Sequence, residues 1–324
     1  MAARKGDEVH DFAGKDFVTL KGVERADLEL VFDVAREMET VVRGRTRSDL
    51  LHDKILGLMF FQVSTRTRIS FESAMQRLGG GVVGFADPKT ARAGDYYAES
   101  LHDTARMMEH YADVLVIRHP QDGAPAEAAA VTNVPVINAG DGYNEHPTQS
   151  LLDAYTILRE KGRIDGLRIA LVGDMSMRVM HSLPLALARF QSCVYFVSPP
   201  DRSMPEPWLQ EFRRVGLSYE ERTEVDDILD ELDVIYLMGT RTPSYAQGRA
   251  DPEGERLTTP RPYVVDREKL ARAKPDVVLL HPLPRTDELP EDVDTMVPAR
   301  YFVQAYYGVA VRMALLALIL GRAP

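Results

Sequence analysis

The sequence predicts an α/β protein with two domains, each built on a parallel β-sheet flanked by helices. Short apolar runs alternate with segments of helical periodicity along almost the whole chain, which is typical of parallel strands joined by crossover helices. The runs are apolar at consecutive positions, so the strands should be buried on both faces. At 324 residues the chain also exceeds the size, about 250–300 residues, at which single hydrophobic cores stop growing.

The predicted elements follow one another in a regular order. Strands are predicted at 55–61, 82–85, 114–117, 134–137, 168–172, 194–197, 234–237 and 277–280. Helices are predicted between them at 26–42, 67–78, 101–110, 146–161, 179–190 and 205–215. A last helix, predicted at 308–320, is apolar on more than one face and should be buried against the first domain.

The domain junction is expected at the turn residues 138–144, which end one strand and precede a long helix. We therefore predict that residues 1–146 together with 304–324 form the first domain. Residues 147–303 are predicted to form the second.

Composition and charge narrow the class of protein. A net charge of −10 argues against a nucleic-acid partner, because phosphate backbones require clustered basic residues. The single cysteine, Cys193, lies in an apolar run and is expected to be a buried structural thiol, and no disulfide can form within one chain. The amino terminus lacks the apolar core of a secretion signal, and the longest apolar stretch is shorter than the roughly 20 residues of a membrane span. We expect a cytoplasmic protein with no membrane partner.

The turn between the first predicted strand and its helix is the most informative stretch of the chain. There Ser64 and its neighbours open a helix, so that several backbone N–H groups without helical partners point at one spot. The helix dipole attracts an anion to that spot, and the forked guanidinium of Arg66 suits phosphate oxygens. The stretch predicts a phosphate site. An ordinary helix cap followed by solvated arginines is the alternative.

Further polar stretches follow other predicted strands, where open parallel sheets bind ligands. They begin at Arg118, Asn144, Gly173 and His281. Each has an ordinary explanation when it is taken alone, since a histidine before a proline is more often a turn residue and an arginine after a strand is as often in a surface ion pair.

Taken together, these stretches resemble the motifs of the aspartate/ornithine carbamoyltransferase superfamily, in the same order. They are Ser64-Thr65-Arg66-Thr67-Arg68, Arg118-His119-Pro120, Asn138-Ala139-Gly140-Asp141-Gly142 with His146-Pro147-Thr148-Gln149, and His281-Pro282-Leu283-Pro284-Arg285. The Pro-Leu-Pro of the last motif resembles the aspartate-specific branch, because ornithine-specific members carry Cys-Leu-Pro. The resemblance covers nearly the full length and implies the carbamoyltransferase fold.

The resemblance implies a site for carbamoyl phosphate. Its phosphate would be bound by Ser64, Thr65, Arg66, Thr67 and Arg118. Its carbonyl oxygen would be bound by Thr67, Arg118 and His146, and its NH2 group by Gln149 and by the carbonyls of Pro282 and Leu283. Arg66, Thr67, Arg118 and His146 are therefore the expected catalytic residues. They would stabilise the oxyanion of a tetrahedral intermediate. The departing phosphate would accept the proton of the amine, and no metal or cofactor is expected.

The amino-acid acceptor would bind to the second domain. The resemblance implies that Arg178 and Arg241 hold a dicarboxylic amino acid through forked salt bridges. Gln247 or Arg249 would take the role of a family glutamine. A neighbouring subunit would add a loop cation, for which Lys89 and Arg92 are the candidates.

The acceptor side differs from the family pattern at several positions. Tyr97 stands where the loop lysine is expected, and Gln62 replaces a glutamate that normally joins the two domains. Pro243 replaces a glutamine, and Tyr306-Tyr307 replaces Gly-Asn. The added tyrosines either line a site for a different amine or pack at a subunit contact.

The implied reaction moves the carbamoyl group of carbamoyl phosphate to the amine of L-aspartate, a step of pyrimidine biosynthesis. The implied assembly is a homotrimer with shared active sites, alone or within a larger assembly. Three alternatives remain open. One is a related carbamoyltransferase with another amine acceptor, and another is a non-catalytic trimer that binds carbamoyl phosphate or supports a partner enzyme. The third is a general phosphoanion-binding protein of the same architecture, which the joint set of motifs disfavours.

Overall fold

Two parallel sheets organise the chain in the computed structural model, which describes residues 12–92, 99–240 and 259–323. The first sheet has the order β2-β1-β3-β4, with strands β1 Ile55–Phe60, β2 Gly81–Phe85, β3 Val114–His119 and β4 Val136–Asp141. The second has the order β7-β6-β5-β8-β9, with strands β5 Arg168–Val172, β6 Cys193–Val197, β7 Ser218–Arg222, β8 Val234–Leu237 and β9 Val278–Leu280. All the pairings are parallel, which confirms the predicted fold class.

Helices cover the faces of both sheets. They are α1 Arg25–Gly44, α2 Thr65–Arg77, α3 Leu101–Met108, α4 Ala124–Ala129, α5 Pro147–Lys161, α6 Arg178–Leu187, α7 Glu206–Arg214, α8 Arg267–Arg272 and α9 Tyr301–Ile319. The short helices α4 and α8 were not predicted. Strand β7 was also missed, because it is an edge strand whose sequence, Ser-Tyr-Glu-Glu-Arg, is polar and exposed.

The last helix packs against α1, α2 and α5, as predicted for a helix that is apolar on more than one face. It begins at Tyr301 rather than at residue 308, because Tyr301 and Gln304 in its first turns are buried as well. Among the described residues it is the one helix long and apolar enough to cross a membrane by length and composition, but 67% of that segment is buried inside the protein. Burial of this kind is typical of a core helix.

Two local expectations were wrong. Residues 138–141 belong to β4 rather than to a turn, because Phe17 bridges to Ile137 and the polar side chain of Asn138 is satisfied within the strand by Asp141 and Gly140. Cys193 is only partly buried, because it is the first residue of β6, where the strand enters the sheet.

The strand order places the functional motifs. In the first sheet β1 lies between β2 and β3, and in the second sheet β5 lies between β6 and β8. The chain adds strands on one side of β1 and then on the other, and it does the same around β5, so each sheet has a topological switch point there. Ligands of open α/β sheets bind beside the carboxyl ends of strands at such switch points. The segments after β1, β3, β5 and β8 are therefore the expected walls of a site.

Candidate active site

A cleft of about 440 Å³, counting the part open to solvent, lies at the carboxyl ends of both sheets. Its lining consists of Ser64, Arg66, Thr67, Arg118, His146, Gln149, Arg178, Val179, Met238, Pro282 and Leu283. Three of these side chains are guanidinium groups, so the cleft suits an anionic ligand. The structure thus brings together most of the residues singled out in the sequence.

The first wall is the amino terminus of α2. Ser64 is the residue before the helix, and the N–H groups of the first turn therefore face the cleft with no helical partner. Arg66 lies on this turn and donates from Nη2 to the carbonyl oxygen of Leu283 at 2.5 Å, which joins the two sides of the cleft. Thr67 is buried, whereas the side chain of Thr65 is exposed and does not line the cleft.

Arg118, at the end of β3, lies beneath this turn. Its Nη1 donates to the carbonyl oxygen of Ala139 at 3.0 Å, and its Nε donates to Oε1 of Gln62 at 3.0 Å. A glycine allows this approach, because Gly140 has a φ of +113° and a Cβ there would lie 2.9 Å from Arg118 Nη1 and 3.2 Å from the guanidinium carbon of Arg178. A glycine is thus required at position 140, both for its positive φ and for the close approach of the two arginine side chains.

His146 precedes α5 and is buried beside Arg118. Burial lowers its pKa well below the ordinary value, and the charges of Arg118 and Arg178 lower it further, so the imidazole is neutral. Its Nε2 lies 3.2 Å from Nη1 of Arg118. Because a guanidinium only donates, Nε2 accepts in this arrangement and the ring proton is assigned to Nδ1.

Arg178 begins α6 and brings the second sheet into the cleft. Its side chain is only 2% exposed, and Nη1 donates to the carbonyl oxygen of Gly142 at 3.1 Å. Its Nη2 donates to Oε1 of Gln62 at 3.1 Å. Gln62 therefore accepts from Arg118 and Arg178 at once, and its neutral amide joins the two halves of the cleft without adding negative charge.

The turn after β9 closes the cleft on the far side. His281 is buried, and its Nδ1 accepts from the backbone N–H of Leu283 at 2.8 Å. The ring therefore carries its proton on Nε2, which lies 3.0 Å from Oε1 of Glu288. Hydrogen bonds from His281 and Thr286 lower the pKa of Glu288 to about 2 against the opposing effect of burial. A charged carboxylate thus holds His281, and His281 holds the turn.

A buried carboxylate that the sequence analysis missed lies behind Gln149. Asp153 accepts from Gln149 Nε2 at 2.8 Å, from Gln304 Nε2 at 2.6 Å and from the hydroxyl of Tyr236 at 2.8 Å. The spacing of Gln149 and Asp153, four residues apart on one helix, was the available signal. Its partners on β8 and α9 are distant in sequence and gave none.

The other predicted residues lie outside the cleft or outside the described part of the chain. Lys89 and Arg92 are exposed on the loop after β2 and do not line the cleft of their own chain. Arg241, Gln247 and Arg249, together with the substituted positions Tyr97 and Pro243, fall outside the described residues.

The tyrosine pair in α9 serves packing. The hydroxyl of Tyr307 donates to Glu160 at 3.1 Å, and its ring lies edge-on against Tyr155 with centroids 5.6 Å apart. Tyr306 is partly buried against the main core. Within the described structure, neither tyrosine lines the cleft.

The described residues contain no group of three or more His, Cys, Asp or Glu side chains arranged to hold a metal ion. The donors of the cleft are guanidinium, hydroxyl, amide and imidazole groups, which suit a phosphorylated or carboxylated ligand.

Two family models match the chain along most of its length. The aspartate/ornithine carbamoyltransferase carbamoyl-P binding domain matches residues 15–159, and the Asp/Orn binding domain of the same family matches residues 165–319.

Relatives and solved structures agree with this match. The aspartate carbamoyltransferase catalytic subunit of Methanopyrus kandleri is 48% identical over 96% of this chain and 98% of its own. That of Methanothermobacter thermautotrophicus is 46% identical over 94% and 96%. Aspartate transcarbamoylase from Trypanosoma cruzi in complex with carbamoyl phosphate and aspartate superposes with a TM-score of 0.84 at 35% identity, over 95% of this chain and 97% of that one. The same enzyme in complex with N-(phosphonacetyl)-L-aspartic acid gives a TM-score of 0.85 at 34% identity, with the same coverage. The chain belongs to the aspartate/ornithine carbamoyltransferase family.

Proposed function

We propose that this protein transfers the carbamoyl group of carbamoyl phosphate to the amine of L-aspartate, giving N-carbamoyl-L-aspartate and phosphate, a step of pyrimidine biosynthesis. The observation that carries the proposal is one cleft that joins the amino terminus of α2, Arg118 and His146 to Arg178 of the second sheet. The relatives named for this reaction match 96% and 94% of the chain.

Carbamoyl phosphate enters with its phosphate at the start of α2. The backbone N–H groups of the first turn, including that of Thr65, bind the phosphate oxygens together with the side chains of Ser64 and Arg66. Fixing the leaving group in this way also fixes the carbonyl carbon, which gives the amine a near-attack geometry.

The carbonyl oxygen faces Thr67, Arg118 and His146. These donors stabilise the oxyanion as the amine attacks, and they act inside a buried site where such hydrogen bonds are strong. His146 stays neutral because of burial and its arginine neighbours, so it acts as a hydrogen-bond donor rather than as an acid. To donate through Nε2, the ring must change tautomer, and Arg118 must turn its Nη1 from the imidazole to the substrate.

The acceptor binds against Arg178, whose forked guanidinium suits a carboxylate. The bond between the amine nitrogen and the carbonyl carbon forms first, and the carbon–oxygen bond to phosphate then breaks. The phosphate leaves with the electron pair of that bond and takes the proton of the attacking amine. Arg241 and Gln247 remain predictions for the second carboxylate.

The remaining expectations are also part of this proposal. The protein acts in the cytoplasm as a homotrimer whose neighbouring subunit adds a loop cation, Lys89 or Arg92, to the site. Their exposure on the loop after β2 leaves them accessible to a partner. The first domain comprises residues 1–146 and 304–324, which is supported by the packing of α9 on α1 and α2.

An assay of the purified protein tests the proposal. Phosphate release and product formation are measured with carbamoyl phosphate and a panel of amines, with N-(phosphonacetyl)-L-aspartate as inhibitor. We expect turnover with L-aspartate and inhibition by the analogue. Turnover with another amine alone would assign the protein to a different acceptor, and binding without turnover would make it a scaffold.

A further inference from the structure

Asp153 connects the two groups that are proposed to hold the NH2 group of carbamoyl phosphate. One of its oxygens, Oδ1, accepts from the side chain of Gln149 at 2.8 Å and from the side chain of Gln304 at 2.6 Å. Gln304 in turn accepts, through Oε1, from the backbone N–H of His281 at 2.9 Å. His281 begins the turn that contains Pro282 and Leu283. A single carboxylate thus fixes both the Gln149 side chain and, through Gln304, this turn.

The chemistry of the carboxylate decides the orientation of Gln149. A carboxylate only accepts hydrogen bonds, so Gln149 must present its NH2 group to Asp153. Its carbonyl oxygen is then the atom that can accept from a ligand in the cleft. With the Gln149 amide reversed, its NH2 group would face the NH2 group of the ligand, and two hydrogen-bond donors would meet.

We propose that Asp153 is a positioning residue that makes the cleft selective for a carbamoyl NH2 group, by holding Gln149 and the turn at 282–283 as acceptors. The inference rests on the proposed function and deepens it. Asp153 does not contact the reacting atoms.

The surroundings of Asp153 support this role. The side chain is fully buried, and the hydroxyl of Tyr236 donates to its other oxygen, Oδ2, at 2.8 Å. The charged group that faces it from α9 is Arg312, whose pKa burial lowers to about 10. The carboxylate is thus surrounded by donors and one cation, and it can act as an acceptor for all three hydrogen bonds.

The protonation state of Asp153 allows a second test of this role. Burial raises its pKa to about 7, while its three hydrogen bonds oppose the rise. Burial lowers the pKa of His146 and of His281, and the pKa of Glu288 is about 2, so none of these three neighbours is expected to change charge near pH 7. A pH dependence of ligand preference centred near pH 7 is therefore assigned to the carboxyl group of Asp153.

The test compares two ligands that differ only in the group of interest. Acetyl phosphate carries a methyl group where carbamoyl phosphate carries NH2, so the ratio of their affinities isolates recognition of the NH2 group. The ratio is measured by calorimetry for the wild-type protein, Asp153→Asn, Gln149→Met and the double variant. We expect Asp153→Asn to reduce the preference for carbamoyl phosphate about tenfold while acetyl phosphate binds as before. The double variant should lose less than the sum of the two single losses, because Asp153 acts in part through Gln149 and in part through Gln304 and the turn.

A matched control removes another buried carboxylate from the same group of helices. Glu39 accepts from Arg159 and from the hydroxyl of Tyr155, and none of the three lines the cleft, so Glu39→Gln should lower stability and leave the ratio unchanged. An unchanged ratio in Asp153→Asn, or additive losses in the double variant, would overturn the inference.

A second measurement needs no variant and covers the case in which Asp153→Asn does not fold. In the wild-type protein the preference for carbamoyl phosphate should fall as the pH is lowered through about 7. Protonation at Oδ2 removes the negative charge, so Oδ1 then holds Gln149 and Gln304 through weaker, uncharged hydrogen bonds. A ratio that stays constant from about pH 6 to 8 would overturn the inference. A wild-type protein that binds neither ligand, or both equally, would instead contradict the proposed function itself.

Discussion

The two halves of the cleft are built from different kinds of sequence. In the first half, Ser64, Arg66 and Thr67 come from a single strand-to-helix turn, so one short motif supplies most of the proposed phosphate site. In the second half, Arg178 is the first residue of α6, in the segment after β5, and Met238 directly follows β8. An anion site can thus be made locally by a helix terminus, whereas acceptor recognition depends on segments that only the tertiary fold brings together.

The largest effect should follow from loss of Arg66 in the first half. Arg66→Ala removes a phosphate donor from an exposed position, so folding should be kept while kcat/KM falls about 10²–10³-fold. Arg68→Ala is the matched control on the same helix, since Arg68 pairs with Glu72 and does not line the cleft. Steady-state kinetics of both variants check this. Equal losses in the two variants would contradict the local phosphate site.

Arg178 tests the second half. Arg178→Lys keeps the buried charge and loses the forked geometry, so the KM for L-aspartate should rise about tenfold. The affinity for carbamoyl phosphate, measured by calorimetry, should change little. If Arg178→Lys instead loses affinity for carbamoyl phosphate and keeps its KM for aspartate, the second half of the cleft does not bind the acceptor.

Gly140 lies where the halves meet. Gly140→Ala combines an unfavourable φ of +113° with contacts to Arg118 and Arg178, so it should cost about 2–3 kcal/mol and reduce activity. Gly123→Ala is the control, because its φ is +81° and nothing lies within 4 Å of the added Cβ. Its cost should be about 1–2 kcal/mol, with activity kept. Urea denaturation measures both, and equal behaviour would exclude a role for the arginine contacts.

The smallest expected effect concerns His146. Since burial and arginine charges lower its pKa, the imidazole is neutral above that pKa and should not titrate between about pH 6 and 8. Imidazole nitrogen chemical shifts measured by NMR should therefore stay constant over this range. A shift with a midpoint near 6.5 would show that the neighbouring charges do not act as described.

The sequence was sufficient to predict those strands and helices that consist of consecutive or regularly spaced apolar residues. Strands β5 and β8 were predicted with the bounds that they have, because both are short apolar runs: four of the five residues of β5 and all four of β8 are buried. Edge strand β7 could not be found, since its polar residues are stable only through pairing with β6. Helix α9 was predicted too short because its first turns mix buried and exposed residues.

The site shows the same division. Arg66, Arg118, His146, Gln149 and Arg178 were all predicted, and all line one cleft. Asp153 was not, because Gln304 lies 151 positions away along the chain and Tyr236 lies 83 positions away. The residues proposed to touch a ligand belong to recognisable motifs, whereas the residue proposed to position them is identified only by its tertiary contacts.

The most direct test of the account is a crystal structure with N-(phosphonacetyl)-L-aspartate. We predict the phosphonate at the amino terminus of α2, within hydrogen-bond distance of Ser64 and Arg66, and a carboxylate against Arg178. A complex with the phosphonate on Arg178, or with the cleft empty at saturating ligand, would contradict it.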